Sequence, residues 1–221
     1  MSQEFVAEAF DPFVVMNAIG LIAFALVGST KAIREKFDLF GVTVVGLATA
    51  FAGGATRDVL VGRIPLALQS TSEIALGTVG VTLAIGLHLV LEAPDDHPIT
   101  LFADGVGLAA FTTAGAIVAV DAGVSGFGVV AVATINAVGG GAIADVLLDR
   151  SPFILFDDFY ASCAVLGGTV YLGTTLGGVA GSTAAIACAA ATVLARMAAV
   201  AYGWTLPTAQ TLRRREEIGK N

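Results

Sequence analysis

Charge is what this sequence lacks most. Asp, Glu, Lys and Arg make up only 13% of its 221 residues, about half the ~25% usual for a soluble domain. Hydrophobic residues make up 56%, and the mean hydropathy is +0.87. That balance excludes a disordered chain and argues against an ordinary water-soluble enzyme. Lysine is scarcest, at three residues against eight arginines. The net charge of −7 argues against nucleic acid as a partner. Cysteine is limited to Cys163 and Cys188, both inside apolar runs, which fits neither a disulfide framework nor a zinc pattern. His88 and His97 have no second ligand at metal spacing, and no P-loop, HExxH or GxSxG is present. No catalytic centre, metal or cofactor is expected. No positive charge precedes the first apolar run, so it reads as a retained span rather than a secretory signal.

What is abundant is apolar length and glycine. Runs long enough to cross a bilayer, about 20 residues each, fall at 12–30, 39–60, 74–91, 99–120, 124–148, 159–176 and 178–204. The last two form one nearly continuous stretch, divided here at Gly177–Gly178. The reading is an all-α membrane protein with seven transmembrane helices. It predicts one three-helix repeat over 12–92, a second, inverted one over 99–177, a seventh helix over 178–205, and a basic tail over 206–221. Eight basic residues fall on one side: Lys31, Arg34, Lys36, Arg150, Arg213, Arg214, Arg215 and Lys220. Only Arg57 and Arg63 fall on the other. The positive-inside rule then places the C-terminus in the cytoplasm and the N-terminus outside the cell membrane. Lys31, Arg34 and Lys36 mark the cytoplasmic side and can meet anionic lipid head groups.

Shifted by 87 residues, the chain matches itself. Residues 17–68 and 104–155 align without a gap, with 20 of 52 positions identical. The matches include Gly20/Gly107, Phe24/Phe111, Gly28/Gly115, Phe40/Phe127, Gly53/Gly140, Gly54/Gly141, Asp58/Asp145, Arg63/Arg150 and Pro65/Pro152. Three spans per repeat force the second copy to enter the membrane from the opposite side. Inverted repeats of this kind carry a pathway at the repeat interface.

Two duplicated motifs stand out. The second span contains AGGATRD with Gly53, Gly54, Arg57 and Asp58, and the fifth contains GGGAIAD with Gly139, Gly140, Gly141 and Asp145. Such glycines permit either a kink that exposes backbone to a water-filled path or close packing of helices. Arg57, Asp58 and Asp145 are costly in a membrane and belong in the protein interior or in water. They read equally as pathway lining or as an Arg57–Asp58 or Arg57–Asp145 pair. Asn17, its repeat mate Asp104, and Asn136 each offer oxygen to a cation, or cap a helix. Arg196 reads as snorkelling toward the cytoplasmic interface.

The motifs GLIAFALVGSTKA, FGVTVVGLATAFAGGATRDVLVGRIP and FGVVAVATINAVGGGAIADVLL resemble those of the prokaryotic trimeric intracellular cation (TRIC) channel family. The resemblance runs over about residues 12–205, and the stretch 40–65 is its specific part. It implies seven helices arranged 3+3+1, a homotrimer, and a passive cation pore inside each protomer that favours K⁺ and admits Na⁺. It also implies that the second and fifth helices kink at Gly53–Gly54 and Gly139–Gly141 and line the pore, which makes Arg57, Asp58, Asn136, Gly140 and Asp145 candidate lining residues. Ala52 stands where the second motif has Gly139, so the first kink is the gentler. The phosphoinositide-binding basic motif of animal relatives has no counterpart here. Some bacterial relatives are described as glycine uptake proteins, so the alternative is a secondary carrier for a small amino acid such as glycine.

Overall fold

The computed structural model describes residues 11–91, 98–155 and 159–206. The tail with Arg213–Arg215 and Lys220, and His97, lie outside the described residues. The described residues are helical and contain no strand. We label the helices α1 (Pro12–Arg34), α2 (Leu39–Leu60), α3 (Thr71–Val90), α4 (Pro98–Asp121), α5 (Gly126–Leu147), α6 (Ala161–Leu176) and α7 (Gly181–Tyr202). Short 3₁₀ turns, Leu66–Leu68 and Phe153–Leu155, follow α2 and α5. Six helices are long and apolar enough to cross a membrane. The exception is α6, whose 16 residues span about 24 Å against a hydrocarbon core of about 30 Å.

The repeat sets the helix ends. Asp38 caps α2 through the Gly41 N–H, and its repeat mate Ser125 caps α5 through the Gly128 N–H. Behind α1 and α4 the chain turns through left-handed residues at mated positions, Lys36 (φ 61°) and Gly123 (φ 68°). The outer surface is apolar. Phe40 and its mate Phe127 stand largely exposed, as do Leu89, Val90 and Leu194. That surface suits lipid rather than water.

Inside, mated helices pack in reciprocal, antiparallel pairs. In the α1–α4 pair, the Phe24 and Phe111 rings meet edge to face at 5.1 Å. Gly20 makes room for Phe111, and Gly107 makes room for Phe24. In the α2–α5 pair, a Cβ on Gly53 would fall on the Asn136 carbonyl, and one on Gly140 would fall on the Thr49 carbonyl. Helical structure continues through both glycine clusters. Gly53, Gly139 and Gly140 therefore sit where two backbones touch. Around Gly54 the nearest atoms a Cβ would meet are 3.7 Å away, and around Gly141 3.4 Å.

This difference predicts unequal tolerance at adjacent glycines. Gly53→Ala and Gly140→Ala must push a helix aside, at a cost of about 1–3 kcal/mol. Gly54→Ala has room and should stay within about 0.5 kcal/mol of wild type. Thermal unfolding of the purified variants in mild detergent checks the order.

Candidate functional site

The C-terminal turns of α2 and α5 build the same device twice. Asp58 Oδ2 accepts the Leu66 N–H at 2.9 Å, and Asp145 Oδ2 accepts the Phe153 N–H at 3.1 Å. The Asp58 and Asp145 carbonyls accept the Arg63 and Arg150 N–H groups, each at 2.8 Å. Each aspartate thus pins the 3₁₀ turn that follows its helix. The second oxygen meets a cation, and here the halves part. Asp58 Oδ1 accepts Nε of its neighbour Arg57 at 2.8 Å. Asp145 Oδ1 accepts Nζ of Lys31, from the far end of α1, at 3.0 Å.

Of the two arrangements open in the sequence, Arg57–Asp58 is present and Arg57–Asp145 is not. An Arg57–Asp145 pair is ruled out by geometry. Because α2 and α5 are antiparallel, their C-terminal turns lie at opposite ends of the molecule. Gly53 lies level with Asn136 and Gly140 with Thr49, so Asp145 lies level with Val44 and stands about 20 Å from Asp58 along the helices.

A cavity opens at each end. The first, about 490 Å³, is bordered by Asp11, Arg57, Asp58, Arg63 and Asp121. The second, about 300 Å³, is bordered by Lys31, Asp104, Asp145, Arg150 and Arg196. The first has three carboxylates against two guanidiniums, and the second has two carboxylates against three cations. Inward of the first lies a space of about 10 Å³ between Asn17, Gly54, Arg57, Glu73 and Phe111, enough for about one water molecule. Buried atoms without a hydrogen-bond partner include Arg57 Nη1 and Asn136 Oδ1, and both side chains border Gly54. Asn136 spends its amide N–H on the Phe111 carbonyl.

Neither Asn17 nor Asp104 caps a helix. Asn17 donates to Glu73 at 2.9 Å, and Tyr160 donates to Asp104 at 2.9 Å. These are mated pairs, since Asn17 plus 87 is Asp104 and Glu73 plus 87 is Tyr160. Extending the self-alignment past residue 68 brings out Glu73 and Tyr160, the site residues missed from sequence. Arg196 does not snorkel. It is buried, with Nη2 3.5 Å from Asp104 Oδ2 and its guanidinium 4.6 Å from the Tyr160 ring centre. Lys31 turns its ammonium inward onto Asp145 and over the Phe153 ring. Arg34 and Lys36 stay at the outer end of α1, where Glu35 pairs with Arg150.

An apolar helical bundle that buries paired ions and carries cavities at both ends is a membrane transport protein in build. A sequence model of the family described as Glycine transporter matches this chain twice, over residues 14–89 and 101–176. The two matches are again 87 residues apart. A UPF0126 membrane protein of Deinococcus radiodurans is 38% identical over 71% of this chain and 74% of its own length. A solved structure, described as giving the structural basis for conductance through TRIC cation channels, is 34% identical. It has a TM-score of 0.82 and covers 89% of this chain and 96% of its own. A prokaryotic TRIC channel crystallised in 0.5 M KCl is 31% identical, with a TM-score of 0.80 over 88% of this chain and 98% of its own. The chain belongs to this glycine-transporter, TRIC-like family of membrane proteins.

The aspartates predict graded losses. Asp145→Ala abandons both the Lys31 ammonium and the Phe153 N–H, for about 3–5 kcal/mol, the cost of breaking a buried pair. Asp145→Asn keeps an oxygen for Phe153 and should lose less. Unfolding midpoints of the two variants, compared with Lys31→Met, give the order.

Proposed function

We propose that the protein is a passive cation channel, with one path inside each protomer running between the two cavities along the α2–α5 contact. The observation that carries this reading is the pair of cavities at opposite ends. Each is bordered by one copy of a duplicated aspartate, Asp58 or Asp145. Between them lie the Phe24–Phe111 contact and the touching backbones of α2 and α5, so the described conformation is closed at the centre. Opening then requires the helices to separate, and the open faces at Gly54 and Gly141 become the lining. On this reading Gly53, Gly54, Arg57, Asp58, Asn136, Gly139, Gly140, Gly141 and Asp145 border the path. Conduction needs several weak sites in series rather than one tight one. Carboxylates already paired to Arg57 and Lys31 are weakened in that sense. K⁺ is the favoured ion and Na⁺ is admitted.

Supporting this reading is the likeness to structures described as cation channels. The wider assembly belongs to the same proposal. Seven spans cross the plasma membrane as an inverted 3+3 repeat plus α7. The N-terminus is outside and the C-terminus cytoplasmic, with Arg34 and Lys36 near the lipid head groups. Antiparallel, reciprocal packing of α1 with α4 and of α2 with α5 supports the inversion. Three copies form a homotrimer, as a related structure from Rhodobacter sphaeroides, described as a trimeric channel, suggests by analogy. A second reading, a glycine carrier, is favoured by the description of the matching family and by the mixed charges of the first cavity.

Planar bilayers separate the two. Under a KCl gradient the purified protein should give single-channel currents reversing near the K⁺ potential. Gly54→Leu and Gly141→Leu should abolish most of the conductance, and Asp58→Asn with Asp145→Asn should reduce selectivity over chloride by roughly twofold or more. Saturable glycine uptake by proteoliposomes that show no unitary currents would establish the carrier instead. Mass in mild detergent should correspond to three protomers of 22.2 kDa; a monomer would remove the trimer from the proposal.

A further inference from the structure

Helix α7 lies outside the duplication and carries one charged residue, Arg196. What that residue touches follows the pattern of the repeats. In each half, the first helix and the segment at the third helix contribute a hydrogen-bonded pair 56 residues apart. In the first half it is Asn17 with Glu73, and in the second it is Asp104 with Tyr160. The carboxylate has changed helices between the copies, but each pair retains one. In each half a buried guanidinium stands beside the pair. Arg57 shares the small central space with Asn17 and Glu73. Arg196 lies against Asp104 and over the Tyr160 ring.

The two arginines come from unrelated places in the chain. Arg57 belongs to α2, and its repeat mate on α5 is Ala144, fully buried against α1 and α2. The second repeat therefore has no arginine of its own at the mated position. Arg196 reaches the second half from α7. Each guanidinium is held by a carboxylate, Asp58 for Arg57 and Asp104 for Arg196. Each lies over an aromatic ring, Phe13 at 5.3 Å and Tyr160 at 4.6 Å. Each also borders the cavity at its own end of the molecule.

We infer that Arg196 is the functional counterpart of Arg57, and that the two guanidiniums set cation entry at opposite mouths of one path. On this inference α7 is part of the conduction machinery rather than packing alone. It rests on the channel reading above. The physical basis is local concentration. A fixed positive charge at a mouth lowers the cation concentration there, and a fixed negative charge raises it, more strongly where low-dielectric walls focus the field. The paired carboxylates bring each mouth near neutrality. Removing one arginine makes its own mouth more negative and raises cation entry from that side only. Rectification therefore shifts, and it shifts in opposite directions for the two arginines. A residue that only holds α7 in place changes stability without a directional effect on current.

The test is current–voltage recording in symmetrical KCl, with vesicles fused from one side so that the channels share an orientation. Arg57→Met and Arg196→Met should change the ratio of currents at opposite voltages by about twofold, with opposite sign. Arg196→Lys keeps the charge and should rectify like wild type. Asp104→Asn still accepts the Tyr160 hydroxyl, removes one negative charge beside Arg196, and should shift rectification opposite to Arg196→Met. The double variant Arg196→Met/Asp104→Asn restores the local sum and should return toward wild type. If Arg196→Met folds and rectifies like wild type while Arg57→Met shifts, the inference is overturned. Where Arg196→Met does not fold, unchanged rectification in Asp104→Asn overturns it equally. A wild-type protein without unitary currents would defeat the channel reading itself, an outcome distinct from either.

Discussion

The arrangement depends on the contact between α2 and α5, where Gly53 lies against the Asn136 carbonyl and Gly140 against the Thr49 carbonyl. With no Cβ at either position, two backbones come closer than any side chain permits. The contact is reciprocal because Gly53 and Gly140, like Thr49 and Asn136, are the same positions in two copies of one sequence. It is also antiparallel. Those two properties send the C-terminal turns of α2 and α5 to opposite ends, so one duplicated aspartate becomes two separated sites. The same logic governs α1 and α4, where Gly20 and Gly107 admit the Phe111 and Phe24 rings. The centre is thereby closed by aromatic edges and backbone, and the charged groups gather at the two cavities.

Buried ions in such a bundle are expensive and are found paired. Here the pairing is solved differently at each end. Arg57 and Asp58 are sequence neighbours, so the first pair is made within one helix. The second end draws Lys31 from α1 and Arg196 from α7 to carboxylates on α5 and α4. Its ion pairs exist only once four helices are assembled. The two cavities consequently differ in charge balance although the backbone devices beneath them match. Asp145 pins the turn at Phe153 as Asp58 pins the turn at Leu66, and only the cation has changed. Duplication preserved the backbone hydrogen bonds, which serve the fold, and let the side-chain partners diverge. That divergence makes the two ends chemically unequal.

Much of this was legible in the chain. Hydropathy and helix length mark the apolar spans, because the bilayer constrains each segment by its own composition. The 87-residue offset marks which positions correspond, and so singled out Gly53, Gly140, Asp58 and Asp145 before any contact was known. The choice between a kink and close packing at the glycines was not legible. Both need the same residue type, and only the position of the facing carbonyl separates Gly53 from Gly54. Glu73 and Tyr160 were missed because they are mates by position but not by chemistry.

The sequence by itself determined the helical membrane class, the duplication and the identity of the costly charges, all of which are properties of short segments or of one segment compared with another. Only the tertiary structure decided the partners. Lys31 meets Asp145 across 114 residues of chain, and Arg196 meets Asp104 rather than the lipid interface. Neither pairing is encoded in spacing or pattern. Each follows from antiparallel helices bringing the end of one element beside the start or end of another, and desolvated charge then takes the opposite charge within reach.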